Sequence, residues 1–185
     1  ADCFVGANGV ETGEAQMQAV IDAIGGSGKI AYLAGTEGTL VASEREEGSM
    51  SALEASPECE LVAREDGDWL REDAISIVET WITSGIEFDA ICAACDEMAI
   101  GAILALQDAG IDDVVVAGID GLQMGCEYVK NGDMTLTFYA DAKGLAYESL
   151  DAALALAKGG QPEDVVLKDL LVNRDNVDEY LALWS

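Results

Sequence analysis

The sequence predicts an α/β protein built on a doubly wound parallel sheet. Short apolar runs alternate with amphipathic segments almost without interruption along 185 residues. Repeated βα units of this kind form a parallel sheet covered on both faces. The clearest runs, FDAICA (88–93) and VVVAGI (114–119), are mostly apolar, the second rich in β-branched residues, as strands buried on both sides require. VVVAGI is followed at once by Asp120 and FDAICA three residues on by Asp96, and ligands of open parallel sheets sit at the carboxyl ends of strands. Cys95, Asp96 and Asp120 therefore stand where a small-molecule site is expected.

Taken in order, Cys3–Gly6 reads as a short strand and Glu14–Ile24 as a helix stopped by Gly25-Gly26. Lys29–Leu33 reads as a strand, and a glycine-rich turn over Gly35–Gly38 leads to a helix near Ser43–Ala55. Glu60–Arg64 is strand-like. Leu70–Thr83 is an amphipathic helix, with Ile75, Val78 and Ile82 on one face. After the strand Phe88–Ala93, Asp96 is placed to cap a helix running to Asp108. The strand Val114–Ile119 is followed by a helix over Gly121–Asn131 that ends at Gly132. Met134–Tyr139 is a strand and Ala142–Ala157 a long helix stopped by Gly159-Gly160. Val165–Val172 is extended, and Asn176–Leu183 is a short helix.

Composition narrows the function. The chain carries 36 acidic against 9 basic residues, a net charge of −27. Such a surface repels a phosphate backbone, so no nucleic-acid partner is expected. Half the residues are apolar, which marks a globular chain, yet no apolar run is long enough to cross a bilayer. No basic segment followed by an apolar one opens the sequence, so any export signal is expected to have been removed or never present. Five scattered cysteines argue against a disulfide framework. With no histidine and a single CxxC, zinc is not expected, and no cofactor is called for. The glutamates Glu44, Glu46 and Glu47 lack calcium-loop spacing. No nucleophile–base pair and no phosphate loop is visible, so the chain is not read as an enzyme. Cys92-Ala93-Ala94-Cys95 offers a redox alternative, since it joins a strand to a helix whose N-terminus would lower a thiol pKa. Against it, no aromatic residue precedes Cys92, and Pro57 and Pro162 are badly placed to face the pair.

VGANGVETG, GKIAYLAGTEGTLVASEREEG, DGDWLREDAI, AACDEMAIGAILALQDAG, VVVAGIDG and VLKDLLVNRDNVDEY follow one another along the chain. In that order they resemble the C-terminal part of the type I periplasmic sugar-binding proteins, the ribose-binding-protein-like substrate receptors of ABC transporters. The resemblance implies a Rossmann-like lobe that binds a sugar-like ligand, is recognised by a membrane permease, and works outside the cytoplasm, in the periplasm or as a cell-surface lipoprotein. It implies that 1–140 form the C-terminal lobe with the strands that cross between lobes. Residues 141–185 would be a helix normally packed on an N-terminal lobe, plus a return segment; the chain is then a fragment without that lobe. The orphaned helix 142–157 would favour self-association. An effector-binding domain of a LacI-like transcription regulator shares the fold and is the alternative, which the acidity disfavours.

The same resemblance assigns ligand contacts. Arg45 matches a sugar-binding arginine at a helix start, and its planar guanidinium suits paired hydroxyls. Trp69 matches an aromatic that stacks on the sugar ring. Asp120 matches an acidic residue that accepts hydrogen bonds from hydroxyls, though it could equally cap the next helix. Cys95 and Ala140 stand where the family commonly carries Asn and Gln. Both are weak or absent hydrogen-bond partners, which points away from ribose itself.

Overall fold

A computed structural model describes residues 2–184. In chain order the elements are β1 (Val5–Ala7), α1 (Gly9–Ala23), β2 (Gly28–Ala34), α2 (Leu40–Glu54), β3 (Cys59–Asp66), α3 (Arg71–Thr83), β4 (Ala90–Ala93) and α4 (Asp96–Asp108). Then come β5 (Val115–Ala117), α5 (Gln123–Asn131), β6 (Leu136–Tyr139), α6 (Ala142–Ala157), β7 (Val165–Leu167), β8 (Leu170–Asn173) and α7 (Val177–Leu181), closed by a 3-10 turn, Ala182–Trp184. The α/β alternation expected from the sequence is the observed one.

The main sheet has six strands in the order β3-β2-β4-β5-β6-β8, parallel except for the antiparallel edge strand β8. Helices α1 and α4 both rest on β4 and β5, and all four residues of β4 are buried. Ile30–Ala34, Ile91, Met98, Ile100 and Ile119 lie in the centre of this core. Successive strands β2, β3, β4, β5 and β6 end at one edge, so every connection leaving that edge is a candidate binding loop. The strand order reverses between β2 and β4, the switch point where such sheets open a crevice.

Three sequence expectations shift. The first helix begins at Gly9 rather than Glu14, because the Asn8 side chain accepts hydrogen bonds from Val10 N and Glu11 N and caps it. The span 165–172 is not one extended segment. It divides into β7, which pairs in parallel with β1 as a separate two-stranded sheet, and β8, which returns to the main sheet. Asp96 does not cap α4. Cys95 holds that position, and Asp96 is the first helical residue with its side chain turned into the core.

The β1–β7 sheet and α6 form a small unit of their own. Phe4 N donates to Asp164 Oδ1 at 2.6 Å and Val165 N to Phe4 O at 2.8 Å, closing the strand pair. The turn after β7 is tied back to the main body where Thr12 Oγ1 donates to Asp169 Oδ2 at 2.8 Å. Only Ala152 of α6 is buried, while Leu145, Tyr147, Leu150, Leu154 and Leu156 stay exposed. Leu145 and Leu156 share the side of Ala152, whereas Tyr147, Leu150 and Leu154 form an apolar strip on the far side, and an exposed strip of this kind favours association. The isolated chain is therefore expected to self-associate through α6, and Leu150→Glu with Leu154→Glu should return it to a monomer. Light scattering checks this; a monomer mass for the unmodified chain at high concentration counts against it.

Candidate functional site

Four of the five residues singled out in the sequence meet at the carboxyl edge. Trp69 follows β3, Cys95 follows β4 and Asp120 follows β5, while Arg45 reaches in from the second turn of α2. With Thr39, Val41 and Glu97 they line an open cleft of about 420 Å³. Ala140, after β6, lies across Asp120 in an adjoining cleft of about 430 Å³, with Leu122, Tyr139, Lys143, Leu183 and Trp184. Asp120 belongs to both.

Close helix packing sets the place of Arg45. A Cβ at Gly13 would strike the Arg45 carbonyl, and one at Gly48 would strike Val10 O, so α1 and α2 touch backbone to backbone only because both residues are glycine. Arg45 then extends to the strand edge, where Nη1 donates to Ala94 O at 2.5 Å and Nη2 to Asp120 Oδ1 at 3.5 Å. Its side chain is 12% exposed and that of Asp120 is 32% exposed. The neighbouring glutamates do not capture it: Glu46 is held by Arg64 at 2.8 Å instead. Trp69 lies 5.8 Å from the Arg45 guanidinium, ring face towards it, a cation–π arrangement. Gly35 makes room for that ring, since a Cβ there would overlap it.

The backbone takes an uncommon conformation here. Asp68 (φ 50), Trp69 (φ 65) and Asp120 (φ 124) are the only non-glycine residues with positive φ among the described residues. Strain of this sort persists where surrounding bonds enforce it and concentrates at binding sites. Asp120 is enforced by Asp120 N donating to Phe138 O at 2.8 Å and Ala140 N donating to Asp120 O at 3.1 Å. It does not cap the next helix, for Leu122 occupies the cap position of α5. Burial holds the Asp120 carboxyl above its ordinary pKa, with Arg45 pulling the other way.

Among the buried polar residues that sequence reasoning missed, Gln16 and Thr137 bear on the strand edge. Gln16 on α1 is fully buried, and its Nε2 donates to Ala93 O at 2.8 Å and Gly118 O at 3.0 Å, tying together the ends of β4 and β5. Thr137 on β6 donates to the buried Asp96 at 2.5 Å. Nothing in the pattern marks a glutamine on a helix, or a threonine in a strand, as the one that faces inward. The thiols of the CxxC are buried, and burial pushes Cys95 up to about 12 and Cys92 higher still. Desolvation outweighs the helix N-terminus, and neither sulfur is poised for thiolate chemistry.

A family model described as a periplasmic binding protein domain matches residues 1–161. A Rhizobium meliloti protein named for rhizopine binding is 34% identical over 183 residues, 96% of this chain and 59% of that protein. A xylitol-binding protein of Mycolicibacterium smegmatis is 33% identical over 171 residues, 91% of this chain and 49% of that protein. Among solved structures, an ABC transporter solute binding protein of Bacillus halodurans with bound myo-inositol superposes with a TM-score of 0.95 at 37% identity. That match covers 98% of this chain and 64% of the other. The chain thus spans about half to three fifths of the curated relatives it matches.

Two measurements follow. In the native chain Cys92, Cys95 and Cys126 should resist a thiol reagent at pH 8 that reaches Cys3 and Cys59, all five reacting in denaturant; rapid native labelling of Cys95 would reinstate the redox reading. The second concerns Asp96, whose carboxyl burial raises from 3.8 to about 7, offset in part by the Thr137 hydroxyl. A group with a raised folded-state pKa favours the fold most at pH below its unfolded value, and that contribution is lost as pH rises to about 7. Asp96→Asn should therefore flatten the fall of the melting temperature between pH 4 and pH 8. Parallel curves for the two proteins would contradict the assignment.

Proposed function

The chain belongs to the periplasmic binding protein domain family, and on that premise we propose that it forms the ligand-gripping lobe of a receptor for a small polyhydroxylated solute, a sugar or cyclic polyol. The observation that carries this reading is Arg45. Its guanidinium is nearly buried, bonded to Ala94 O, set over by an indole and only loosely joined to Asp120 at 3.5 Å. Such a fork keeps donors free for a pair of hydroxyl oxygens, and Asp120 offers acceptors for hydroxyl hydrogens beside it. Trp69 supplies an apolar face for the C–H side of a ring.

Cys95 and Ala140 refine the ligand. Neither satisfies a hydroxyl, so the ligand presents fewer polar groups on that side, or meets water there. The names of the relatives support the class without choosing a member: they refer to rhizopine and xylitol, and the solved neighbours hold myo-inositol and D-allose.

The cleft is open on one side, and a single lobe supplies half the contacts. A second lobe would close over the ligand, in the manner of hinge-closing receptors, and would cover the apolar face of α6. The closed form would be read by an ABC permease at the outer face of the membrane, with no chemistry performed on the ligand. No helix among the described residues is long and apolar enough to cross a membrane.

The test is a thermal-shift screen of the full-length protein against myo-inositol, xylitol, D-allose and ribose, because ligand bound to the folded state raises the melting temperature by mass action. A hit is expected among the polyols. In the same protein Asp120→Ala should weaken binding about thirty-fold, or ~2 kcal/mol, for a lost charged hydrogen bond. Unchanged affinity in Asp120→Ala removes Asp120 from the site, and silence across all four compounds argues against the ligand class.

A further inference from the structure

Asp96 stands directly behind the cleft without lining it. It is fully buried, and among the described residues no lysine or arginine pairs with it. Two other elements satisfy its carboxylate instead. Thr137 Oγ1 of β6 donates to Oδ1 at 2.5 Å, and Leu122 N donates to Oδ2 at 2.8 Å. Asp96 N donates to Ile119 O at 2.7 Å, and Gly121 N donates to Thr137 Oγ1 at 3.4 Å. One residue and its threonine partner thus hold the turn at Ile119, Gly121 and Leu122, on both sides of Asp120.

The space for this carboxylate is cut by two glycines. A Cβ at Gly118 or at Gly125 would overlap the Asp96 carboxyl group. A buried carboxylate is unfavourable unless fully hydrogen-bonded, so its retention here, wedged between the two glycines, requires a local return. That return is the geometry of the turn, whose central residue adopts φ 124.

We propose that Asp96 is a positioning residue for ligand recognition: it clamps the turn 118–122 so that Asp120 is presented to the Arg45 cleft. The ligand half of this statement rests on the receptor reading above; the clamping of the turn does not. The titratable groups that face Asp96 are Asp120 on the turn, Cys126 on α5 and Cys95 just before it, and β6 contributes the Thr137 hydroxyl. None of the three is a cation. Ionisation of Asp96 therefore strengthens its grip on Leu122 N while repelling Asp120 at close range, and both effects reach the turn.

The decisive measurement needs no ligand. In amide spectra of nitrogen-15-labelled protein between pH 5 and pH 9, Gly121 and Leu122 should move together with one midpoint near the Asp96 value of about 7. Asp96→Asn keeps the size and one acceptor, so the fold survives, and the shared step should vanish. Thr137→Val removes a donor to the ionised form and should move the midpoint to higher pH. Gly121 and Leu122 signals that stay flat in the unmodified protein, or that titrate unchanged in Asp96→Asn, overturn the clamp.

The binding arm uses the full-length protein with myo-inositol and D-allose as probes. Affinity should vary with pH around neutrality, and Asp96→Asn should abolish that dependence and weaken binding at pH 8 by roughly tenfold, as a misplaced contact group does. A probe that binds with the same affinity at every pH and equally to Asp96→Asn overturns the positioning role and leaves the receptor reading intact. Failure of both probes to bind counts against the receptor reading, and the amide titration still decides the clamp.

Discussion

The parallel register of β2, β4 and β5 is the constraint from which the site follows. Leu33 pairs with Ala93 and Cys92 with Ala117, so the three strands stop within a residue or so of one another. Parallel neighbours carry each loop to the same edge, and the edge then holds Cys95, Asp120 and, through the first connection, Arg45. Such strands are stable only when both faces are covered. The small residues of β4, Ala-Ile-Cys-Ala, let α1 and α4 approach closely. Gln16 uses that approach. From α1 it reaches the last carbonyl of β4 and the carbonyl just past β5, and so ties together the strand ends that lead to Cys95 and Asp120.

Charge is arranged with the same economy. With 36 acids competing for 9 cations, any arginine risks capture by the nearest glutamate. Arg64 takes Glu46 and Asp66, each at 2.8 Å, and Arg71 takes Glu97 at 2.8 Å. Half-exposed pairs like these contribute little to stability. Their effect is to occupy carboxylates that flank the cleft, Glu46 on the same helix as Arg45 above all. Arg45 is then left with a carbonyl and one loosely held carboxylate, the state in which a guanidinium can still recognise a ligand.

The fold class was legible in the sequence because buried parallel strands and amphipathic helices differ in period and length. The edge residues were legible too, since an apolar run that stops at Asp120 marks a strand end. What escaped was decided by tertiary contacts. Asn8 starts α1 inside a stretch that reads as a turn, because a cap is a local bond rather than a pattern. Asp96 has the sequence look of a cap and serves instead as a buried acceptor for two other elements. The span 165–172 is uniformly strand-like, yet its two halves pair with different sheets. Periodicity assigns extended conformation but is silent on partners.

Strain at the cleft completes the argument. A residue with positive φ and a side chain is unfavourable by roughly 1–3 kcal/mol, and the described chain places all three of its examples at Asp68, Trp69 and Asp120. Each is locked by backbone bonds on both sides: Gly67 N donates to Ala34 O and Leu70 N to Gly67 O at 2.8 Å around Trp69, and the bridge to Tyr139 holds Asp120. A flexible loop could reach the same contacts only by losing conformational freedom at the moment of binding. Here that ordering is completed during folding, by a sheet edge too well bonded to relax. The indole and the carboxylate therefore flank Arg45 before any ligand arrives, and on the receptor reading the affinity of the cleft would be set by its contacts rather than by its order.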